Sequence, residues 1–217
     1  METNTNKTKR LTVSALMIAI AIAIAAICAA LPFLNLPFGG GFTIASMLPI
    51  IVVSYMYGVK WGLCTGFVYS IMQMLLGFNT VSSFFLPGDA QYVWYKAIII
   101  CLIDYVIAYT VLGLGGIFRK KLDKAKALCF GSIFALLLRY IAHIISGAIF
   151  FGSWAEWFFT QDGFPSFGEK ILENFSGFGL SFIYSVIYNG TYMIPEIIIT
   201  AIAALAISRI SQIKIEG

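Results

Sequence analysis

Charge is scarce in this chain. Only 11% of its 217 residues are Asp, Glu, Lys or Arg, where a soluble domain carries about 25%. That deficit excludes an ordinary water-soluble globule. Basic patches interleaved with aromatic residues are missing outside the apolar stretches, which argues against a nucleic-acid surface. Histidine occurs once, as His143, and the four cysteines (Cys28, Cys64, Cys101 and Cys129) lie in or beside apolar runs with no Cys-x-x-Cys pair. Neither a disulfide framework nor a metal site follows from so few ligands, and the cysteines read as small buried hydrophobes. A Gly-x-x-x-x-Gly-Lys phosphate loop, a Gly-x-Ser-x-Gly elbow and a His-Glu-x-x-His pair are all absent. The chain therefore has no motif for hydrolysing ATP itself or for common hydrolase chemistry, and no cofactor is implied. It has no internal repeat and no low-complexity tract.

What is abundant is apolar length. The chain is 60% hydrophobic, with mean hydropathy +0.91. Six apolar segments predict helices at about residues 11–31, 43–57, 60–77, 94–117, 126–150 and 179–208. A bilayer crossing takes about 20 residues. The segments are continuously apolar rather than alternating, which argues against a β-barrel. Lys7, Lys9 and Arg10 ahead of Leu11 imitate a signal peptide. The apolar run that follows is long enough to span, and it is read as an attached first helix.

Lys and Arg placement sets the expected orientation. With the N-terminus inside, the inner segments hold Lys7, Lys9, Arg10, Lys60, Arg119, Lys120, Lys121, Lys124, Lys126, Arg209 and Lys214. Only Lys96 and Lys170 fall outside, and Arg139 lies within the fifth helix. The fold class expected is an all-α integral membrane protein, a six-transmembrane-helix bundle with both termini cytoplasmic. Residues 1–10 form a cytoplasmic tail, disordered over Met1–Lys9. Residues 11–208 form the membrane domain, and 209–217 a second cytoplasmic tail.

The outer segments are rich in aromatic residues. The first, Pro32 to Phe42, is uncharged. The segment from Phe78 to Tyr95 carries Tyr92, Trp94 and Tyr95, and that from Phe151 to Phe178 carries Trp154 and Trp157. Such loops read either as lids over a site or as an interfacial aromatic belt.

Within the apolar segments, polar residues stand out because they are costly in lipid. At about 1.5 Å per residue, Asp104, His143, Tyr184 and Asn189 fall at similar depths in the outer half of the bilayer. Convergence of these four on one pocket avoids exposing each to lipid. The alternatives are an Asp104–Arg139 ion pair, and interhelical hydrogen bonding by Tyr184 and Asn189. Glu196, which follows Pro195 deeper in the last helix, is expected to partner Arg139 or backbone freed by the proline. A carboxylate without a cation at its own level suits a cationic guest. Phe42, Trp94, Tyr95, Tyr105, Phe151 and Trp154 offer rings to stack on a flat, positive one. Ala15, Ala19 and Ala23 place small residues four apart, either for a partner helix or for packing within the bundle.

Leu138-Arg-Tyr-Ile-Ala-His143-Ile-Ile-Ser-Gly147-Ala-Ile-Phe-Phe151, then Tyr184-Ser-Val-Ile-Tyr-Asn189-Gly190, resembles the ThiT (YuaJ) family. So does Ile103-Asp104-Tyr105 ahead of Leu112-Gly-Leu-Gly-Gly-Ile-Phe-Arg-Lys. These are the thiamine-binding S-components of energy-coupling factor (ECF) transporters. The resemblance implies a non-enzymatic vitamin-capture protein of the bacterial plasma membrane, taking thiamine from outside beneath a closing first loop. It implies delivery through a transmembrane coupling subunit (EcfT) and two ABC ATPase subunits. Asp104 stands where the family has Glu, and Tyr105, His143, Tyr184 and Asn189 match its polar ligands. Phe151 stands at a stacking Trp, Phe42 near another, and Trp94 or Tyr95 in place of a binding tyrosine. Ala15, Ala19 and Ala23 match the stripe that contacts the coupling subunit. Other readings are a different vitamin or thiamine precursor, a stand-alone secondary transporter, or an intramembrane enzyme.

Overall fold

The computed structural model describes residues 4–36, 40–163 and 165–216. Among the described residues the architecture is helical, without a strand ladder. The helices are α1 (Asn4–Ala29), α2 (Leu48–Tyr57), α3 (Val59–Leu76), α4 (Phe78–Ser83), α5 (Trp94–Gly116), α6 (Lys124–Phe150), α7 (Ala155–Phe159), α8 (Pro165–Asn174) and α9 (Gly177–Ile207). Four of them, α1, α5, α6 and α9, are long and apolar enough to cross a membrane. α2 is a shorter apolar helix, and all ten of its residues are buried. A helix lies at each of the six expected segments, and α4, α7 and α8 are additional short elements in the outer segments.

Two boundaries differ from expectation. α1 starts at Asn4, so the stretch expected to be disordered is helical from there, and Met1–Thr3 lie outside the described residues. The basic stretch is held by a partner: Lys9 pairs with Glu216 at 2.8 Å. α2 starts at Leu48 rather than near residue 43. Ala45 has a left-handed backbone (φ 58°) that interrupts any helix running into Leu48 from before it.

The C-terminal segment is packed rather than a separate tail. Ile213 is buried in the main core, and the Glu216 N–H donates to the Met56 carbonyl at 2.9 Å. Arg119 donates to the same carbonyl, and Lys124 to the Ile210 carbonyl at 2.8 Å. Asp123 caps α6 by accepting from the Lys126 N–H at 3.1 Å, and that bond holds its carboxyl below the usual range. Arg119, Lys124 and Lys9 thus gather at one end of the bundle, opposite the end that carries α4, α7 and α8.

The core is built on close helix approach. The last turns of α5, Val111–Gly116, tighten to a 3-10 helix against α2, α3 and α6. A Cβ on Gly113 would fall on the backbone of Gly62 and Leu63, so glycine lets α3 and α5 touch main chain to main chain. Ser54 of α2 donates to the Gly113 carbonyl and accepts from the Gly116 N–H at 2.9 Å, which satisfies the tightened turn. α6 and α9 form the most extensive helix pair, and the site lies along their junction.

On α1, Ser14, Ala21, Ala25 and Cys28 face the bundle. Ala15, Ala19 and Ala23 are exposed, so the small-residue stripe does not pack within its own bundle.

Candidate functional site

Asp104 sits where α5 loses regularity. Over Leu102–Ile107 the helix widens to a π turn that contains both Asp104 and Tyr105, a distortion common at functional positions. Across the gap, His143 and Ser146 are three apart on α6 and share a face. His143 Nδ1 lies 2.8 Å from Asp104 Oδ1, and Ser146 Oγ donates to Asp104 Oδ2 at 2.6 Å. Nδ1 is the donor of this contact in the tautomer that carries its hydrogen there. Nε2 has no hydrogen-bond partner among the described residues. The expected alternative, an Asp104–Arg139 ion pair, does not form.

Arg139 is buried and turned elsewhere. Its guanidinium stacks on the Tyr109 ring at 4.6 Å and donates to the Tyr109 hydroxyl at 3.1 Å. Its other terminal nitrogen meets the sulfurs of Met47 and Met193 at 3.2 and 3.3 Å. Glu196 is not its salt-bridge partner. That carboxylate accepts from the N–H and hydroxyl of Thr43, because the non-helical chain entering α2 needs acceptors inside the bundle.

α9 contributes a tyrosine stripe, Tyr184, Tyr188 and Tyr192, at a spacing that keeps all three on one face. Asn189 ties this helix to α6. Its amide nitrogen donates to the Ser185 carbonyl at 2.8 Å and the His143 carbonyl at 3.3 Å, and its oxygen accepts from the Tyr192 hydroxyl. Gly147 makes the approach sterically feasible, since a Cβ there would strike the Ser185 hydroxyl.

These elements enclose a cavity of about 520 Å³, within the size range of small-molecule sites. Asp104, Tyr105, His143, Phe151, Tyr184 and Asn189 all line it, as does Trp154. Three expected residues, Trp94, Tyr95 and Phe42, do not. Trp94, at the start of α5, is 68% exposed and packs edge-on against Tyr95. Phe42 stands in the first loop, where its N–H donates to the Leu34 carbonyl, and Gly40 takes the place on the wall. From the segment that carries Trp94, Tyr92 turns inward instead and donates to the Phe150 carbonyl at 3.0 Å. Burial, and then the charge of Asp104, push the Tyr92 phenol above its ordinary value, so it stays a donor.

Sequence reasoning missed Tyr109, Tyr188, Tyr192, Trp157, Phe84 and Thr80, all on the wall. The tyrosines carried a signal in their four-residue spacing from Tyr105 and Tyr184. Thr80 and Phe84 carried none, because α4, which holds Thr80 and ends just before Phe84, lies in a segment read as loop. No Lys or Arg is among the lining residues. The wall therefore offers one carboxylate, one imidazole and many rings, a composition suited to an aromatic cation.

The family model "Thiamine transporter protein (Thia_YuaJ)" matches residues 15–157. The chain belongs to this family. The match contains Asp104, His143 and Phe151, while Tyr184 and Asn189 lie beyond it. The thiamine transporter ThiT of Bacillus subtilis (strain 168) is 34% identical over 184 residues, covering 78% of this chain and 76% of that protein. A solved structure of ThiT from Listeria monocytogenes superposes with TM-score 0.62 over 94% of this chain and 97% of the other, at 18% identity. That likeness supports the ThiT fold for the whole bundle. Members of the Thia_YuaJ family are transporters, not enzymes. The chain is a multi-pass membrane protein.

Proposed function

We propose that this chain captures thiamine in the cavity between α5, α6 and α9. The observation that carries the reading is Asp104: its carboxylate, held by His143 and Ser146, faces a tyrosine-walled cavity with no Lys or Arg on its wall, in a chain of the thiamine transporter family. A neutral His143 leaves the pair with net negative charge, which the positive thiazolium of thiamine balances. His143 Nε2 is then an acceptor for an amino group on the pyrimidine. Tyr105, Tyr184 and Asn189 supply hydrogen-bonding groups around it, and Phe151 a ring.

In this reading all six apolar helices cross the bacterial plasma membrane with both termini cytoplasmic, and residues 11–208 form the substrate-binding domain. The cavity then opens to the outside. The chain has no phosphate loop of its own, so energy comes from elsewhere: a transmembrane coupling subunit and two ABC ATPases, as in the ECF transporters it resembles. The exposed Ala15, Ala19 and Ala23 stripe is the surface offered to the coupling subunit.

Titration calorimetry on the purified chain, without nucleotide or ion gradient, tests the proposal. Saturable sub-micromolar thiamine binding supports it. Absence of binding, or uptake by the chain alone driven by protons or sodium, overturns it.

A further inference from the structure

The chain between α1 and α2 enters the bundle as non-helical backbone. Ala45, Ser46 and Met47 are 7%, 2% and 2% exposed. Irregular backbone at this depth persists only where the protein supplies partners for its polar groups. The Ile44 N–H meets Cys28 Sγ at 3.4 Å and the Ser46 N–H donates to Thr43 Oγ1 at 3.3 Å, while Thr43 itself is held from the last helix. Glu196, 2% exposed, accepts from the Thr43 N–H at 2.5 Å and from the Thr43 hydroxyl at 2.8 Å. Ser46 shares the cluster, 2.7 Å from Thr43 Oγ1, and Thr200 lies 3.4 Å from the same carboxylate one turn further along α9. No salt bridge to Glu196 forms among the described residues. A buried carboxylate is thus held by hydrogen bonds from the loop stem rather than by a cation.

The stem also bonds internally, the Leu48 N–H donating to the Ala45 carbonyl at 3.1 Å. Ala45 has φ 58°, a region that side chains with a Cβ avoid. Its other foot is fastened differently: Asn35 donates to the Leu31 carbonyl at 3.0 Å and the Ala29 carbonyl at 3.2 Å, closing the end of α1. Asn35 and Gly41 then bridge, and the Phe42 N–H donates to the Leu34 carbonyl at 3.2 Å. Thr43 follows directly. Three residues before it, Gly40 lines the cavity, so near to α9 that a Cβ would stand 3.0 Å from the Tyr192 ring. Glu196 and Tyr192 are one turn apart on the same helix. One helix therefore supplies both a wall of the cavity and the anchor for the stem that carries Gly40.

We propose that Glu196 is a positioning residue for ligand retention: by holding Thr43 it keeps the stem of the first loop, and Gly40 with it, against the cavity. The proposal rests on the reading of the cavity as the thiamine site. Glu196 does not line the cavity, so its effect is on how long the ligand stays rather than on contact with it.

The test compares Thr43→Val, Thr43→Ser, Glu196→Gln and the double variant Thr43→Val/Glu196→Gln in the full chain. Thiamine association and release are followed by stopped-flow quenching of tryptophan fluorescence, and melting temperature is recorded alongside. Loss of a charge-assisted bond predicts release about tenfold faster in Thr43→Val and Glu196→Gln, with association within about twofold and melting little changed. Thr43→Ser, which keeps the hydroxyl, returns to the wild-type rate. The double variant is no faster than the faster single one, as expected for two ends of one contact. Hydrogen exchange of peptides covering residues 40–47, measured without thiamine, rises in Thr43→Val.

Wild-type release rates in both single variants, or acceleration that merely follows a lowered melting temperature, overturn the proposal. If the wild-type chain binds no thiamine while exchange rises as expected, the ligand assignment fails and the latch stands. If the wild type binds and the exchange of 40–47 is unchanged in Thr43→Val, the latch fails and the ligand assignment stands.

Discussion

Asp104 on α5 and His143 on α6 meet at 2.8 Å, with the second carboxylate oxygen held by Ser146. Both oxygens are committed to the protein, so Asp104 acts on a guest largely through its charge and through the orientation of His143. Asp104→Asn keeps an oxygen to accept from Nδ1 but removes the charge. Thiamine affinity is expected to fall more than about tenfold, which is ~1.4 kcal/mol. Ser146→Ala keeps the charge and is expected to cost less. Calorimetric titration of the two variants checks the order.

Ring contacts divide by position. Phe151 lines the cavity and packs with Phe84 and Tyr92 at centroid distances of 6.1 and 5.7 Å. Phe151→Ala removes a wall and is expected to weaken thiamine binding about fivefold to tenfold, in keeping with ring contacts of ~1 kcal/mol. Trp94→Ala, on an exposed residue outside the cavity, is expected to leave affinity within about twofold. Equal losses in the two variants would remove the distinction.

Charge on the ligand is tested by thiamine phosphates. The cavity wall offers no Lys or Arg, and Arg139 is spent on Tyr109 and two methionine sulfurs. A phosphate entering it is desolvated without a cation on the wall. Thiamine monophosphate is expected to bind more weakly than thiamine by at least about tenfold, a modest share of the cost of an uncompensated charge. Competition against labelled thiamine measures it.

Close packing away from the site sets stability. Gly113→Ala places a methyl on the backbone of Gly62 and Leu63. Overpacking of this kind costs ~1–3 kcal/mol. The melting temperature in detergent is expected to drop by several degrees, of the order such a penalty produces in a chain of this size. Ala15→Leu, on the exposed face of α1, is expected to leave melting and thiamine binding unchanged while lowering thiamine uptake in cells that carry the coupling module.

Composition and hydropathy located the long apolar helices, because the apolar runs and their breaks are local properties of the chain. They also singled out Asp104, His143, Tyr184 and Asn189, since polar residues in such runs are few and their depth follows from helical rise. Rotation about each helix axis was not legible. Tyr109, Tyr188 and Tyr192 share the face that turned out to line the cavity, but phenols in a membrane helix are equally at home toward lipid or protein. Trp94 and Phe42 do not line the cavity for a related reason. Phe42 sits in an irregular segment and Trp94 directly after one, and the course of such segments is decided by contacts with residues far along the chain, such as Thr43 with Glu196.

The sequence alone determined that this protein lives in a bilayer, where the long apolar helices run, and which scarce polar groups must hide from lipid, because each of these follows from solvation of individual residues. Only the folded bundle decided that Asp104 chooses His143 over Arg139, that Glu196 holds a loop rather than an arginine, and that Tyr92 and Gly40 face inward where Trp94 and Phe42 do not. Those choices depend on distances of a few ångströms between helices, and such distances are set by close packing at glycines such as Gly113 and Gly147 rather than by any residue's own preference.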